Sequence, residues 1–139
     1  MKPIPRILFI CAGNVARSQM AEAYYNHLTN SRDAMSAGVL SHTPAMYGGP
    51  AAYAIDAMRD DGIDISCQRV KPVTQEMVDE AAEIVLLCSS EEVPSFVNDG
   101  NVVGSWEIPD PFGAALDGFI AVRDQIRTNV ERLIRSRSE

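Results

Sequence analysis

At 139 residues, 46% hydrophobic and 22% charged, the chain fits one soluble domain, residues 1–139, around one core. A net charge of −7 argues against a nucleic-acid or anionic-membrane partner. No apolar run has the length of a membrane span or a signal-peptide core, so a cytoplasmic location is expected. Three cysteines without a CxxC spacing argue for free thiols rather than a disulfide framework or a zinc site.

Arg6 to Ile10 is apolar without alternation after its first residue, as in a central strand covered on both faces. A glycine-bearing turn follows, and then a helix from Gln19 to Leu28 with Met20, Ala21, Tyr24 and Leu28 on one face. Ala34 to Val39 is the second strand, and its parallel crossover should be right-handed. Ser41 to Gly49 is a loop carrying Tyr47. Pro50 at a first helical position and Gly62 past the end bracket a helix with Ala51, Ile55 and Met58 in phase. Ile63 to Ser66 is an extended connector. Thr74 caps a helix reaching Ala82, Ile84 to Leu87 is a third strand, and Asn101 to Val103 is an edge strand. From Ala114, Leu116, Phe119, Ile120, Val130, Leu133 and Ile134 hold helical phase to the end, with Ile126 between.

Strand–helix alternation of this kind predicts an α/β fold, a doubly wound parallel sheet of four strands in the order 2-1-3-4 with helices on both faces. Such sheets bind ligands at the carboxyl ends of the strands, at the crevice where the strand order reverses. Cys11 follows the first strand, Cys88 its expected neighbour, and Asp110 lies in the loop after the fourth. The three should share one rim.

The stretch Cys11-Ala12-Gly13-Asn14-Val15-Ala16-Arg17-Ser18 is where chemistry concentrates. A turn between a buried strand and a helix N-terminus presents N–H groups and the positive end of the helix dipole to an anion. The Arg17 fork suits phosphate oxygens. Gly13 allows close backbone approach, Asn14 tolerates a left-handed bend, and Ser18 brings a hydroxyl. Singly, a cysteine after a strand is usually a small buried hydrophobe and a first-turn arginine a solvated charge; the combination reverses that reading. No GxxxxGK[ST] occurs, so this is not an ATP loop.

Cys-x-Gly-Asn-x-x-Arg-Ser followed by Gln19-Met20-Ala21-Glu22 resembles the low-molecular-weight protein tyrosine phosphatases and, equally, the thiol-dependent arsenate reductases. The similarity continues through Ser36-Ala37-Gly38, Gly62 to Ser66 and Trp106 to Phe112. It implies a phosphotyrosine protein phosphatase I-like fold with Cys11 as nucleophile and no metal or cofactor. Arg17 and the amides of residues 12 to 17 would hold the oxyanion, with Asn14 keeping the loop's shape and Ser18 stabilising the leaving sulfur. Asp110 matches the family's general acid, although Asp-Pro by itself is a turn signal. Tyr47 and Phe112 would be aromatic walls for a phenyl group. His27 and His42 have bland surface roles.

Departures point both ways. Ala16 stands where many phosphatases carry a second cysteine. Gln19, Gln68 and Cys88-Ser89 look like the reductases, but the further relay cysteine is missing, with Val93 and Pro94 in its neighbourhood. Trp-Glu-Ile-Pro-Asp-Pro leans toward phosphatase, and the balance favours hydrolysis of phosphomonoesters: phosphotyrosine in protein or a small aryl phosphate. The alternative is arsenate reduction, with Cys88 or an external thiol reductant resolving the Cys11 adduct; a third reading is a phosphate-binding regulatory module. If adjacent strand ends bring Cys11 and Cys88 within about 4.4–6.8 Å between Cα atoms, they can form a disulfide.

Overall fold

The computed structural model describes residues 7–39 and 49–138. Arg6, His42 and Tyr47 lie outside the described residues, as does most of the loop from Ser41. The strands are β1 (Ile7–Cys11), β2 (Ala34–Gly38), β3 (Glu83–Leu86) and β4 (Val102–Ser105). The helices are α1 (Arg17–Thr29), α2 (Ala52–Asp60), α3 (Gln75–Glu80), α4 (Ser95–Asn98) and α5 (Leu116–Ser138).

The sheet runs β2-β1-β3-β4 with every pairing parallel, the order the alternation predicts. All five residues of β1 are buried because helices cover both faces. Ile7, Phe9 and Cys11 point into a core shared with Met20 and Tyr24 of α1, Met58 of α2 and Ile126 of α5. Leu8 and Ile10 point the other way, toward Ile84, Leu86, Val78 and Val97 under the short helices α3 and α4. The second layer is thinner, since α3 and α4 together bring ten residues against the 23 of α5. Polar ties fasten α5 to the end of α2. Arg123 Nη1 donates to the Ala57 carbonyl at 2.8 Å and pairs with Asp60 at 3.0 Å, while Arg127 pairs with Asp61 at 2.7 Å.

Boundaries shift where one hydrogen bond decides. α1 begins at Arg17, two residues before Gln19, because the Met20 N–H already reaches the Ala16 carbonyl. Pro50 lies outside α2, since the Ala51 N–H is spent on the Val15 carbonyl at 2.9 Å. That bond ties the start of α2 to the loop after β1. Thr74 does cap α3, accepting from the Met77 N–H, and Gly62 takes φ +82° just beyond α2. α4 and the 3₁₀ turn Ser90–Glu92 were not expected; both are too short to show a period. Leu28, expected on the buried face, is 39% exposed near the C-terminal end of α1. Among the described residues no helix is long and apolar enough to cross a membrane.

Candidate active site

β1 ends at Cys11 and α1 starts at Arg17, so the five residues between them form a tight bend whose last member, Ala16, is the N-cap of a 13-residue helix. The first-turn N–H groups of that helix lack intrahelical partners. Asn14 adopts φ 56°, the left-handed bend its side chain tolerates. Its backbone N–H donates to Cys11 Sγ at 3.2 Å.

The Asn14 side chain is buried and fully used. Nδ2 donates to Ser18 Oγ at 2.7 Å and Ser36 Oγ at 3.0 Å; Oδ1 accepts from Gln19 Nε2 at 3.1 Å and the Lys71 N–H at 2.9 Å. Since Ser18 Oγ accepts from Asn14, its own proton is free for Cys11 Sγ, 2.9 Å away. Ser36 Oγ in turn donates to Glu22 Oε1 at 2.7 Å. Burial raises the Glu22 pKa, and burial lowers that of Lys71, whose charge partly offsets the effect on Glu22. The end of β2 presses directly on the bend: a Cβ on Gly38 would lie 2.9 Å from both Asn14 N and Gly13 C.

Arg17 is 7% exposed, unusual for a guanidinium. Nη1 donates to the carbonyls of Leu87 at 2.7 Å and Ile108 at 3.1 Å, which aims the fork across the ends of β1 and β3. Nη2 stands 3.6 Å from Asp110 Oδ2. Asp110 has both of its sequence readings at once: Oδ1 accepts from the Phe112 N–H at 3.0 Å as a turn residue does, while the other oxygen faces Arg17. Beside it opens a cavity of about 390 Å³, lined by Val15, Ala16, Tyr53, Asp110, Phe112 and Phe119 among others. Phe112, 74% exposed, lines it, while the expected Tyr47 wall is outside the described residues. Tyr53, which sequence reasoning missed, lines the groove from α2, its ring tilted against that of Phe119 with centroids 5.5 Å apart.

On the other side of Arg17 lies a more polar cavity of about 640 Å³, lined by Cys88, Ser89, Glu92, Ser105 and Glu107. Burial first, then the neighbouring Cys11 and Glu92, pushes the Cys88 thiol up to about 12, against the opposing charge of Arg17. Cys11 and Cys88 are both free thiols. The strand register bears on how the two are placed. Ile10 is level with Leu86, so Leu87 follows as the neighbour of Cys11; Cys88 lies one residue higher, and its side chain joins the opposite core. The two share a rim and an arginine. The third thiol, Cys67, is exposed, and so is His27.

The sequence-named loop 11–18, Asp110, Phe112 and Cys88 thus converge on one end of the sheet. Ser36, Gly38 and Glu22, behind the loop, were legible as parts of a resemblance but not as a hydrogen-bonded support. Among the described residues no cluster of three or more His, Cys, Asp or Glu could hold a metal ion.

A buried thiol, a helix N-terminus and an inward-turned arginine at the switch point of a parallel sheet define a cysteine-based enzyme of oxyanion chemistry. Residues 6–138 match the family of the low molecular weight phosphotyrosine protein phosphatase, and the chain belongs to that family. The arsenate reductase of Brevibacillus brevis (strain 47) is 35% identical over 132 residues, covering 91% of each chain. A solved arsenate reductase in the phosphate binding state superposes with a TM-score of 0.80 at 28% identity, covering 96% of this chain and 98% of that one. The YwlE arginine phosphatase from Geobacillus stearothermophilus superposes with a TM-score of 0.81 at 25% identity, covering 97% and 94%.

Proposed function

We propose that the protein reduces arsenate. The observation that carries this reading is the second buried thiol: Cys88 follows β3, the neighbour of β1, and the Arg17 guanidinium is bonded to the carbonyl just before it. Phosphomonoester hydrolysis needs no second thiol. In the proposed reaction the Cys11 sulfur attacks arsenic and displaces one oxygen as water, with Arg17 and the loop amides holding the others. Cys88 then attacks Cys11 Sγ. The S–S bond forms, the S–As bond breaks, and the electron pair stays on arsenic, which leaves as arsenite. The relay cysteine is missing, with Val93 and Pro94 in its neighbourhood, so an external thiol reduces the Cys11–Cys88 bond directly. The similarity to proteins named arsenate reductases supports this order of readings over the hydrolysis that the sequence balance favours.

The test is arsenate turnover with a thiol reductant, in wild type and Cys88→Ser. Turnover lost in the variant supports the proposal; equal turnover in both would refute Cys88 as the resolving thiol.

A second reading, phosphomonoester hydrolysis, is favoured by the groove beside Asp110. Its aromatic and alanine lining is of no use to arsenate but accepts an aryl group. Asp110, facing Arg17 yet open to solvent, would then protonate the leaving oxygen. Asp110→Asn should slow phenyl phosphate far more than p-nitrophenyl phosphate, whose leaving group needs no proton.

A further inference from the structure

A loop that binds an anion through its N–H groups fails if one carbonyl turns inward. Tight bends allow that fault, because a single peptide plane can flip while its neighbours stay, as type I and type II turns do. The plane after the left-handed residue Asn14, φ 56°, joins it to Val15. Its carbonyl accepts from the Gln19 side chain, Nε2 at 3.0 Å. The Val15 N–H lies on the opposite edge of this trans peptide and takes no partner among the described residues.

Gln19 is the third residue of α1 and wholly buried. A glutamine at that position commonly reaches back to the N-cap N–H. This one spends its Nε2 on three acceptors instead: the Asn14 carbonyl, Asn14 Oδ1 at 3.1 Å and the Arg69 carbonyl at 2.7 Å. Its Oε1 accepts from Gln68 Nε2 at 2.6 Å, which also donates to the Gln19 carbonyl at 3.2 Å. Acceptors at one end and a donor at the other leave the amide a single orientation. The segment that supplies Gln68 and Arg69 is itself anchored to β2. The Gly38 N–H donates to the Lys71 carbonyl at 2.8 Å, and the Val73 N–H to the Gly38 carbonyl at 2.7 Å. The Lys71 N–H then closes the circle on Asn14 Oδ1 at 2.9 Å.

We propose that Gln19 is a positioning residue for the oxyanion and that Gln68 orients it. The Gln19 amide holds the Asn14 carbonyl on the protein side of the bend, which turns the Val15 N–H toward the bound anion. This rests on residues 11–18 being the oxyanion loop, which arsenate reduction and phosphomonoester hydrolysis share. Both glutamines act through the peptide plane rather than on the anion itself. Without the Gln19 donor, the Asn14 carbonyl turns inward and sets its partial negative charge against the anion.

Inorganic phosphate, titrated by calorimetry, tests the assignment. Gln19→Met keeps the side chain's length but loses the donor, so phosphate affinity should fall about ten- to hundredfold, the loss of one N–H to a charged group. Gln68→Glu should do the same by another route. The introduced carboxylate only accepts, so the Gln19 amide must turn round and set its oxygen against the Asn14 carbonyl. Because both act through one amide, adding Gln68→Glu to Gln19→Met should change affinity by less than about twofold. Wild-type affinity in Gln19→Met overturns the assignment, as does a Gln68→Glu loss of equal size in both backgrounds. If Gln19→Met does not fold, salt decides. A Gln68→Glu loss that persists at high ionic strength supports the assignment; one that vanishes is charge repulsion and overturns it. A wild type that binds no phosphate overturns the oxyanion-loop reading and this proposal with it. One that binds phosphate without reducing arsenate overturns the reductase reading alone.

Discussion

Around Cys11, individual side chains decide whether a loop is a chemical site or a mere turn. Asn14 satisfies the left-handed bend, both hydroxyls beside it, and a backbone N–H from residue 71. Such a network gains from low dielectric only while every member is bonded. Its contribution is therefore geometric: it directs the Ser18 proton at the sulfur and holds the Asn14 N–H on it. Cys11→Ser should abolish arsenate and aryl phosphate turnover while phosphate binding persists, measurable by calorimetry. Retention of turnover within about tenfold, or ~1.4 kcal/mol, would exclude Cys11 as nucleophile. Gly38→Ala tests the support from behind. Its methyl meets backbone rather than flexible side chain, so the bend must move, and overpacking of this kind costs about 1–3 kcal/mol. Phosphate affinity should fall along with urea stability; a variant with wild-type affinity would show that β2 does not shape the loop.

The groove is a property of elements rather than residues. α2 brings Tyr53, the loop after β4 brings Asp110 and Phe112, and α5 brings Phe119 beneath them. The Ala51–Val15 bond fixes the α2 edge to the phosphate loop. Phe112→Ala should lower kcat/KM for phenyl phosphate by about two- to tenfold, an aromatic contact of ~0.5–1.5 kcal/mol, and move arsenate turnover by less than twofold. Equal losses on both would mean that Phe112 positions Asp110 rather than a substrate ring. Sequence patterns revealed these elements unevenly. An unalternating apolar run identified β1 as central, since only a doubly covered strand can be apolar throughout. Tyr53 was invisible as a groove residue because its helix is amphipathic for core reasons, and a tyrosine on the polar side carries no local mark. The Cys11–Cys88 relation was left open by the sequence for a related reason. Both positions follow strands, but side chains alternate faces, and a one-residue offset sends them to opposite cores.

At the level of the whole molecule, the strand order was legible because parallel crossovers leave few topologies. Ionisation was not, since it depends on what packing removes from water. Among the neutral acids that packing buries are the Cys88 thiol at the rim and the Tyr24 hydroxyl, which donates to Asp61 at 2.7 Å beneath α5. Burial pushes Cys88 up to about 12 and also raises Tyr24, where the Asp61 charge adds to the effect. In the unfolded chain a thiol ionises near 8.5 and a phenol near 10. Below about pH 8.5 both states hold both protons, and the contribution to stability is complete and constant. Between about 8.5 and 12 the unfolded chain has lost a proton that folded Cys88 keeps, so stability falls as pH rises, and above about 10 Tyr24 steepens the fall. Urea midpoints measured from pH 7.5 to 10.5 should therefore decline from about pH 8.5. Cys88→Ser should flatten the decline below about pH 10 and Tyr24→Phe the part above it. A pH dependence left unchanged by both substitutions would show that neither proton is held by the fold.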